Sequence, residues 1–269
     1  DGKNVKHKVE SEASLNTRYV GLANTSDEFK NVAVRKAFNL AINRVALVEM
    51  ALEGDGIASQ NGFVPEMLNY PISNVNGYDY DVDKAQQLMT SAGFKNGKDF
   101  PTLDFYANVV EGSKDHKLCQ QIAAQLKSNL NVNINIQLCT IEERLTAVET
   151  GNAKIWLAGW IADYPDPENF LSLFSGENMD ANNMTVNGFK FNNSEFNALY
   201  SKALGESDVE TRIKLWIKCD QILIDQAAVM PLYTNDNTAM VNARIRNFKV
   251  NEMETLDLTS VFIKEHKKN

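Results

Sequence analysis

Residues that build metal centres and redox pairs are scarce in this sequence. Its 269 residues include three cysteines, Cys119, Cys139 and Cys219, separated by 20 and 80 positions with no C-x-x-C pair. A zinc site is therefore not expected, and at most one disulfide can form, which leaves an odd thiol and does not fix the redox compartment. The three histidines, His7, His116 and His266, lie far apart, and neither a Ser, His, Asp order nor an H-E-x-x-H spacing occurs. A hydrolase built on histidine has no support. No run of 18 apolar residues is present, so no membrane-spanning helix is expected. Cations are in deficit, 27 Lys plus Arg against 35 Asp plus Glu for a net charge of −8, with the acidic residues spread along the chain. That argues against nucleic acid as a partner, because such binding rests on clustered cations releasing counterions. The basic end, Lys264, His266, Lys267 and Lys268, reads as a solvated tail. Asp1-Gly2-Lys3-Asn4 carries no charged-then-apolar signal, so a targeting segment is expected to be absent or already removed. Gly54-Asp55-Gly56 follows a helix and lacks the third glycine of a dinucleotide loop, so no cofactor is expected from it.

What is present is an ordinary globular composition, 43% hydrophobic and 23% charged, enough chain for one large domain or two ordinary ones. The first 18 residues are polar and read as an extended arm. Arg18 to Asn24 reads as a strand closed by Thr25-Ser26-Asp27. Val34, Phe38, Ala41 or Ile42, Val45, Val48 and Leu52 recur at helical spacing, predicting one helix that Gly54 stops, with Arg35, Asn39 and Arg44 off its apolar stripe. A loop-like stretch follows to residue 80, then a helix from Asp81 to Ala92 ending at Gly93. A strand near Thr102 to Ala107, a helix carrying Leu118, Ile122, Leu126 and Leu130, and a strand at 132 to 138 form a unit whose length indicates a right-handed parallel crossover. Thr140 and Glu143 make a capping box for another helix. Lys154 to Ile161 reads as a buried strand. Helices are expected at 194 to 205 and at 208 to 226, the second opened by a Ser207 to Glu210 box, and short strands at 228 to 233, 238 to 241 and 248 to 250. The fold class is α/β.

The segment richest in chemistry is Gly159-Trp160-Ile161-Ala162-Asp163-Tyr164-Pro165-Asp166-Pro167-Glu168-Asn169-Phe170. It follows the C-terminal end of a strand, where open α/β sheets present ligand residues. Asp166 before Pro167 is what a helix start looks like, and Glu168 falls in the first turn, where the macrodipole favours an anion. Asp163 stands outside the cap position. With Trp160 and Tyr164 beside it, its carboxylate can receive an ammonium group and a ring can cover that group. Alternatively, Asp163 satisfies the amides of its own turn.

The ordered set Tyr19-Val20-Gly21-Leu22-Ala23-Asn24, Val34 to Arg44, Tyr80 to Ala85 with Ser91 to Phe94, Gly159-Trp160 through Asp166-Pro167, Arg212, and Met230-Pro231-Leu232-Tyr233 resembles the oligopeptide and dipeptide binding receptors of ABC transporters, bacterial solute-binding protein family 5. The resemblance implies a type II periplasmic-binding-protein-like lobe, a mixed sheet flanked by helices, in a receptor that closes at a hinge. It implies a second lobe over 15 to 235, a connecting arm at 1 to 14, a return segment at 236 to 269, and a fragment of a receptor roughly twice as long. It further implies no enzymatic activity, a peptide ligand, a membrane permease partner, and a place in the periplasm or on the outer face of the membrane, lipid-anchored or free. An aspartate matching Asp163 takes the peptide's α-ammonium in such receptors, and a tryptophan matching Trp160 lies beside the peptide. Some members place a basic residue shortly before that tryptophan for a ligand carboxylate, and Ile155 to Ala158 contains none. Arg35 and Arg44 are expected to ion-pair on the lobe's surface. Two alternatives accompany this reading: the same receptor type carrying an oligosaccharide, a nickel chelate or haem, and a glycosidase pairing Asp163 with Asp166 or Glu168.

Overall fold

The computed structural model of the chain describes residues 6–179 and 187–264. The amino-terminal tetrapeptide and the residues after Lys264 in the basic tail lie outside them. In chain order the main elements are β1 (His7–Ala13), β2 (Asn16–Leu22), α1 (Val32–Leu40), α2 (Arg44–Ala51), β3 (Ile57–Ala58), α3 (Val82–Ser91), β4 (Leu103–Ala107), α4 (Lys114–Leu130), β5 (Ile134–Leu138), α5 (Ile141–Glu149), β6 (Ile155–Ile161), α6 (Pro167–Leu171), α7 (Ser194–Leu204), α8 (Val209–Asp225), β7 (Val229–Thr234) and β8 (Asp236–Asn242), followed by the two-residue strands β9 (Ile245–Arg246) and β10 (Phe262–Ile263).

Six strands form one mixed sheet in the order β3-β7-β2-β6-β4-β5. β2 runs antiparallel to both β6 and β7, whereas β4 runs parallel to β5 and β6. The β4–α4–β5 unit is the parallel crossover that its length predicts, with Leu103 opposite Ile134 and Ala107 opposite Leu138. Side chains alternate across the central strands, as the two-residue period of a strand requires. Val20, Leu22, Ile155, Leu157, Met230 and Leu232 pack into one core with α1 to α4, whereas Tyr19, Trp156, Ala158 and Val229 pack into a second core with α6 to α8. A sheet covered on both faces needs apolar residues at every position, which is why β6 opens as an unbroken apolar run.

Five expectations are corrected. The helix predicted through 34–52 is two helices. Asn43 adopts extended backbone between them, and its side chain accepts the Ala46 amide, starting α2 afresh. The apolar periodicity survives the break because both helices face the same core. Arg35 and Arg44 are buried, 6% and 5% exposed, and make no ion pair among the described residues. Arg35 donates to the carbonyls of Gln226, at the C-terminus of α8, and of Ala227. Arg44 donates to Pro231 O, Asn39 O and Asn39 Oδ1 at 2.6, 3.0 and 2.8 Å. Burial lowers both guanidinium pKa values to about 10. Next, Asp208, not Ser207, caps α8 by accepting the Thr211 amide, and residues 248–250 are not a strand. Finally, part of the polar arm is a strand. β1 pairs with β8 from His7 opposite Asn242 to Ala13 opposite Asp236, a ribbon that local sequence does not announce because each strand's partner lies more than 220 residues away.

Candidate functional site

β6 leaves the core as it ends. Ile155 to Ala158 are buried, Gly159 is exposed, Trp160 is half-buried and Ile161 is exposed. Gly159 leaves room for its neighbour, since a Cβ there would sit 2.8 Å from Arg18 Cδ on the adjacent strand and displace that side chain. Arg18 crosses beneath it to pair with Asp115 at 2.7 Å, and the Tyr233 hydroxyl reaches the other oxygen of Asp115 at 3.4 Å.

The loop after β6 is organised by Asn169, a buried residue of α6. Its Oδ1 accepts from Trp160 Nε1 at 2.8 Å and from the Asp163 amide at 3.1 Å. One side chain therefore fixes both the tryptophan and the aspartate that the sequence singles out. Asn169 lies within the segment that the sequence singles out, but the sequence assigns it no role. Its signal, a polar side chain on the apolar face of a five-residue helix, is too short-ranged to read without the fold.

The Asp166 cap is where its position before Pro167 predicts. Asp166 caps α6, accepting the Glu168 amide at 2.9 Å, and also receives both terminal nitrogens of Arg212 at 2.6 and 3.0 Å. The Arg212 guanidinium lies 5.3 Å over the Trp216 ring. Glu168 accepts the hydroxyls of Tyr164 and Tyr200; that bond raises the Tyr164 pKa, and burial, with the bond to Glu168 second, raises that of Tyr200. With Asp166 at a cap under an arginine and Glu168 bound by two tyrosines, the paired carboxylates a glycosidase needs are not available, and that alternative is withdrawn. Asp163 is exposed. Among the described residues no backbone amide donates to its carboxylate and no cation lies within 4.0 Å, its nearest polar partner being Asn169 Nδ2 at 3.5 Å. The Asp163 amide donates to Asn169 Oδ1 and the Asp166 amide to the Tyr164 carbonyl, so neither is served by the Asp163 carboxylate.

Two concave regions flank the end of β6. One, of about 310 Å³, has Tyr19, Trp156, Trp160 and Phe189 among its walls, with Arg144 from α5. The other, of about 280 Å³, includes Arg18, Asp115, Tyr233 and Glu254. Gly159 and Trp160 belong to both; Asp163 and half-exposed Tyr164 line neither. Burial pushes the Tyr19 and Tyr233 phenols up to about 12, so both are neutral donors at physiological pH.

Comparison with known proteins places this geometry. The model of bacterial extracellular solute-binding proteins, family 5 Middle, matches residues 1–182. Heme-binding protein A of Haemophilus influenzae is 30% identical over 237 residues, 87% of this chain and 42% of that protein. The oligopeptide-binding protein OppA of Bacillus subtilis is 27% identical over 77% of this chain and 38% of its own length. Among solved structures, the ABC transporter-associated periplasmic binding protein DppA from Helicobacter pylori, in complex with the peptide STSA, superposes with a TM-score of 0.81 at 26% identity, covering 96% of this chain and 49% of that one. The chain spans less than half the length of these relatives and shares the fold of the corresponding part of periplasmic binding proteins.

Proposed function

The chain belongs to the bacterial extracellular solute-binding proteins of family 5, and from that premise we propose that it is the second lobe of a two-lobed receptor that captures extended peptides for an ABC importer. Residues 15–235 form that lobe, and 1–14 with 236–269 lead toward the first lobe through the β1·β8 ribbon. Asp163 receives the peptide's α-ammonium, Trp160 and Tyr164 flank it, and main-chain hydrogen bonds along exposed strand ends hold the backbone without selecting side chains. The receptor works outside the cytoplasmic membrane, in the periplasm or lipid-anchored, and passes its cargo to a permease.

One observation carries the reading: an exposed carboxylate with no cationic partner among the described residues is held on the same asparagine as an aromatic ring. In the complete receptor, Asp163→Asn is expected to weaken trialanine binding by about 10- to 100-fold in isothermal titration, the worth of a charge-assisted hydrogen bond. Unchanged affinity overturns the peptide assignment. The chain alone supplies half of the surface, so its own affinity for trialanine is expected to be far weaker; submicromolar binding by the lone chain would contradict the half-site. The haem-binding relative supports a second cargo, and for it the same variant should retain hemin binding while trialanine binds to neither form.

A further inference from the structure

The stretch before Trp160 offers no cation for a ligand carboxylate, yet a cation reaches the cavity beside that tryptophan from another element. Arg144 lies on α5, four positions beyond the threonine of the capping box. Its Nε donates to Asn108 Oδ1 at 2.7 Å, in the loop after β4, and that bond fixes the guanidinium plane. Its two terminal nitrogens have no acceptor among the described residues, and no carboxylate there lies within 4.0 Å of it. The acid next to it in sequence is already committed, since Glu143 Oε2 accepts the Thr140 amide at 2.7 Å to close the capping box. Glu149 lines the same cavity further along α5 and is exposed.

Around the guanidinium the walls are aromatic. Tyr19 and Trp156 both pack on Phe189, with ring centroids 5.5 and 5.6 Å apart, and Trp160 stands at the opening toward the end of β6. A guanidinium partly removed from water without a counter-ion is an unfavourable arrangement, which burial registers as a lowered pKa for Arg144. An entering carboxylate relieves it, and the planar fork of arginine suits a two-oxygen acceptor.

We propose that Arg144 is the specificity-determining anchor of this cavity, binding the carboxylate of a ligand whose apolar or aromatic group fills the space between Tyr19, Trp156, Trp160 and Phe189. The chemical class is an apolar carboxylic acid, such as the C-terminal residue of a short peptide. Asn108 acts as a positioning residue, aiming the guanidinium through its Nε. The inference rests on the ligand-capturing role of this lobe, and the two can be separated by blocking either end of a probe.

The test is an NMR titration of the chain, followed at the tryptophan indole N–H signals, with N-acetyl-L-phenylalanine, its carboxamide, and L-phenylalaninamide. The first probe lacks the ammonium that Asp163 would take, and the third lacks the carboxylate. N-acetyl-L-phenylalanine is expected to bind at least about tenfold more tightly than its carboxamide, the difference that one charge-assisted contact makes. Arg144→Gln should abolish that preference, Arg144→Lys should restore part of it, and Asp163→Asn should leave it intact. Equal binding of acid and carboxamide, a preference that persists in Arg144→Gln, or no binding of the acid overturns the proposal. If the acid fails while L-phenylalaninamide binds and depends on Asp163, only the Arg144 anchor is lost. If neither probe binds, the Arg144 anchor is overturned, while the ligand-capturing reading stands or falls on the Asp163→Asn titration of the complete receptor. Unshifted indole signals in the unliganded Arg144→Gln variant establish that it has folded.

Discussion

Two regions of the molecule treat their charged groups in opposite ways. Behind the sheet, where α1 and α2 meet the end of α8 and β7, Arg35 and Arg44 are buried and every bond they make goes to a carbonyl or amide oxygen of the protein. At the end of β6, Asp163 is exposed and the terminal nitrogens of Arg144 have no acceptor among the described residues. The first arrangement uses charge as scaffold. Arg35 sits where the α8 macrodipole favours a cation, and Arg44 reaches the carbonyl of Pro231, a strand residue with no amide hydrogen of its own to give the sheet. The second leaves charge unspent at a concave surface, which is where recognition of a ligand needs it. A charged residue that looks alike in sequence is thus structural or functional according to whether the fold supplies its partner.

The contrast is broken most severely at Arg44. Arg44→Ala strips Pro231 and Asn39 of buried donors, and urea denaturation should show a loss of about 3 to 5 kcal/mol, enough to unfold a marginal domain. A loss below about 1 kcal/mol would mean that the buried arginines are not scaffold.

Asp220, fully buried in the second core, sharpens the same point for an acid. It accepts from the amides of Phe63 and Val64 at 2.8 and 3.3 Å and from the Tyr70 hydroxyl at 2.9 Å, yet burial raises its pKa to about 6. Because the folded state then holds this proton more tightly than the unfolded chain, whose aspartate titrates near 4, the native state binds more protons between about pH 4 and 6. This group's contribution to stability is therefore greatest below about pH 4, falls as pH rises to about 6, and is flat above. The fall is on the order of 3 kcal/mol. Asp220→Asn should flatten that segment of the stability curve while costing about 2 kcal/mol at low pH, since its amide turns a donor toward other donors. A wild-type curve that rises through this window would show that the three donors outweigh burial.

Asn169 joins the two regions, being buried itself and holding the exposed site. Asn169→Ala is expected to cost about 1 to 2 kcal/mol and to free the Trp160 indole, seen as a loss of fluorescence anisotropy, with Trp156 and Trp216 unaffected. The smallest effect belongs to Asp163. Because its carboxylate serves no amide or cation among the described residues, Asp163→Asn should change stability by less than about 0.5 kcal/mol while it weakens ligand binding, and thermal denaturation separates the two. A large loss of stability would return Asp163 to a structural role.

Much of the fold is legible along the chain. The crossover around α4, the Thr140 and Glu143 box, the Asp166 cap before Pro167 and the buried strand ending at Trp160 each follow from residues within a few positions of one another. The misreadings share one cause. The break at Asn43 is hidden because both helices keep their apolar side toward one core, so the periodicity carries straight through it. Arg35 and Arg44 look like surface charges because their carbonyl acceptors lie about 190 residues away, except for those next to them in α1 and its flanks. β1 looks like an arm because its partner is β8.

Of the site, Trp160, Asp163 and Tyr164 stand out by composition and by their place after a strand. Asn169 and Arg144 do not, for their importance comes from what the fold sets beside them. The sequence by itself determined the α/β class, the order of most elements, the Asp166 cap after β6 and the membership of a solute-binding family. Only the tertiary structure decided which charges are consumed inside the protein and which are left for a ligand. Caps and periodicities are settled over one or two turns of chain, whereas the pairing and desolvation of a charge depend on groups that folding brings from a hundred or more residues away.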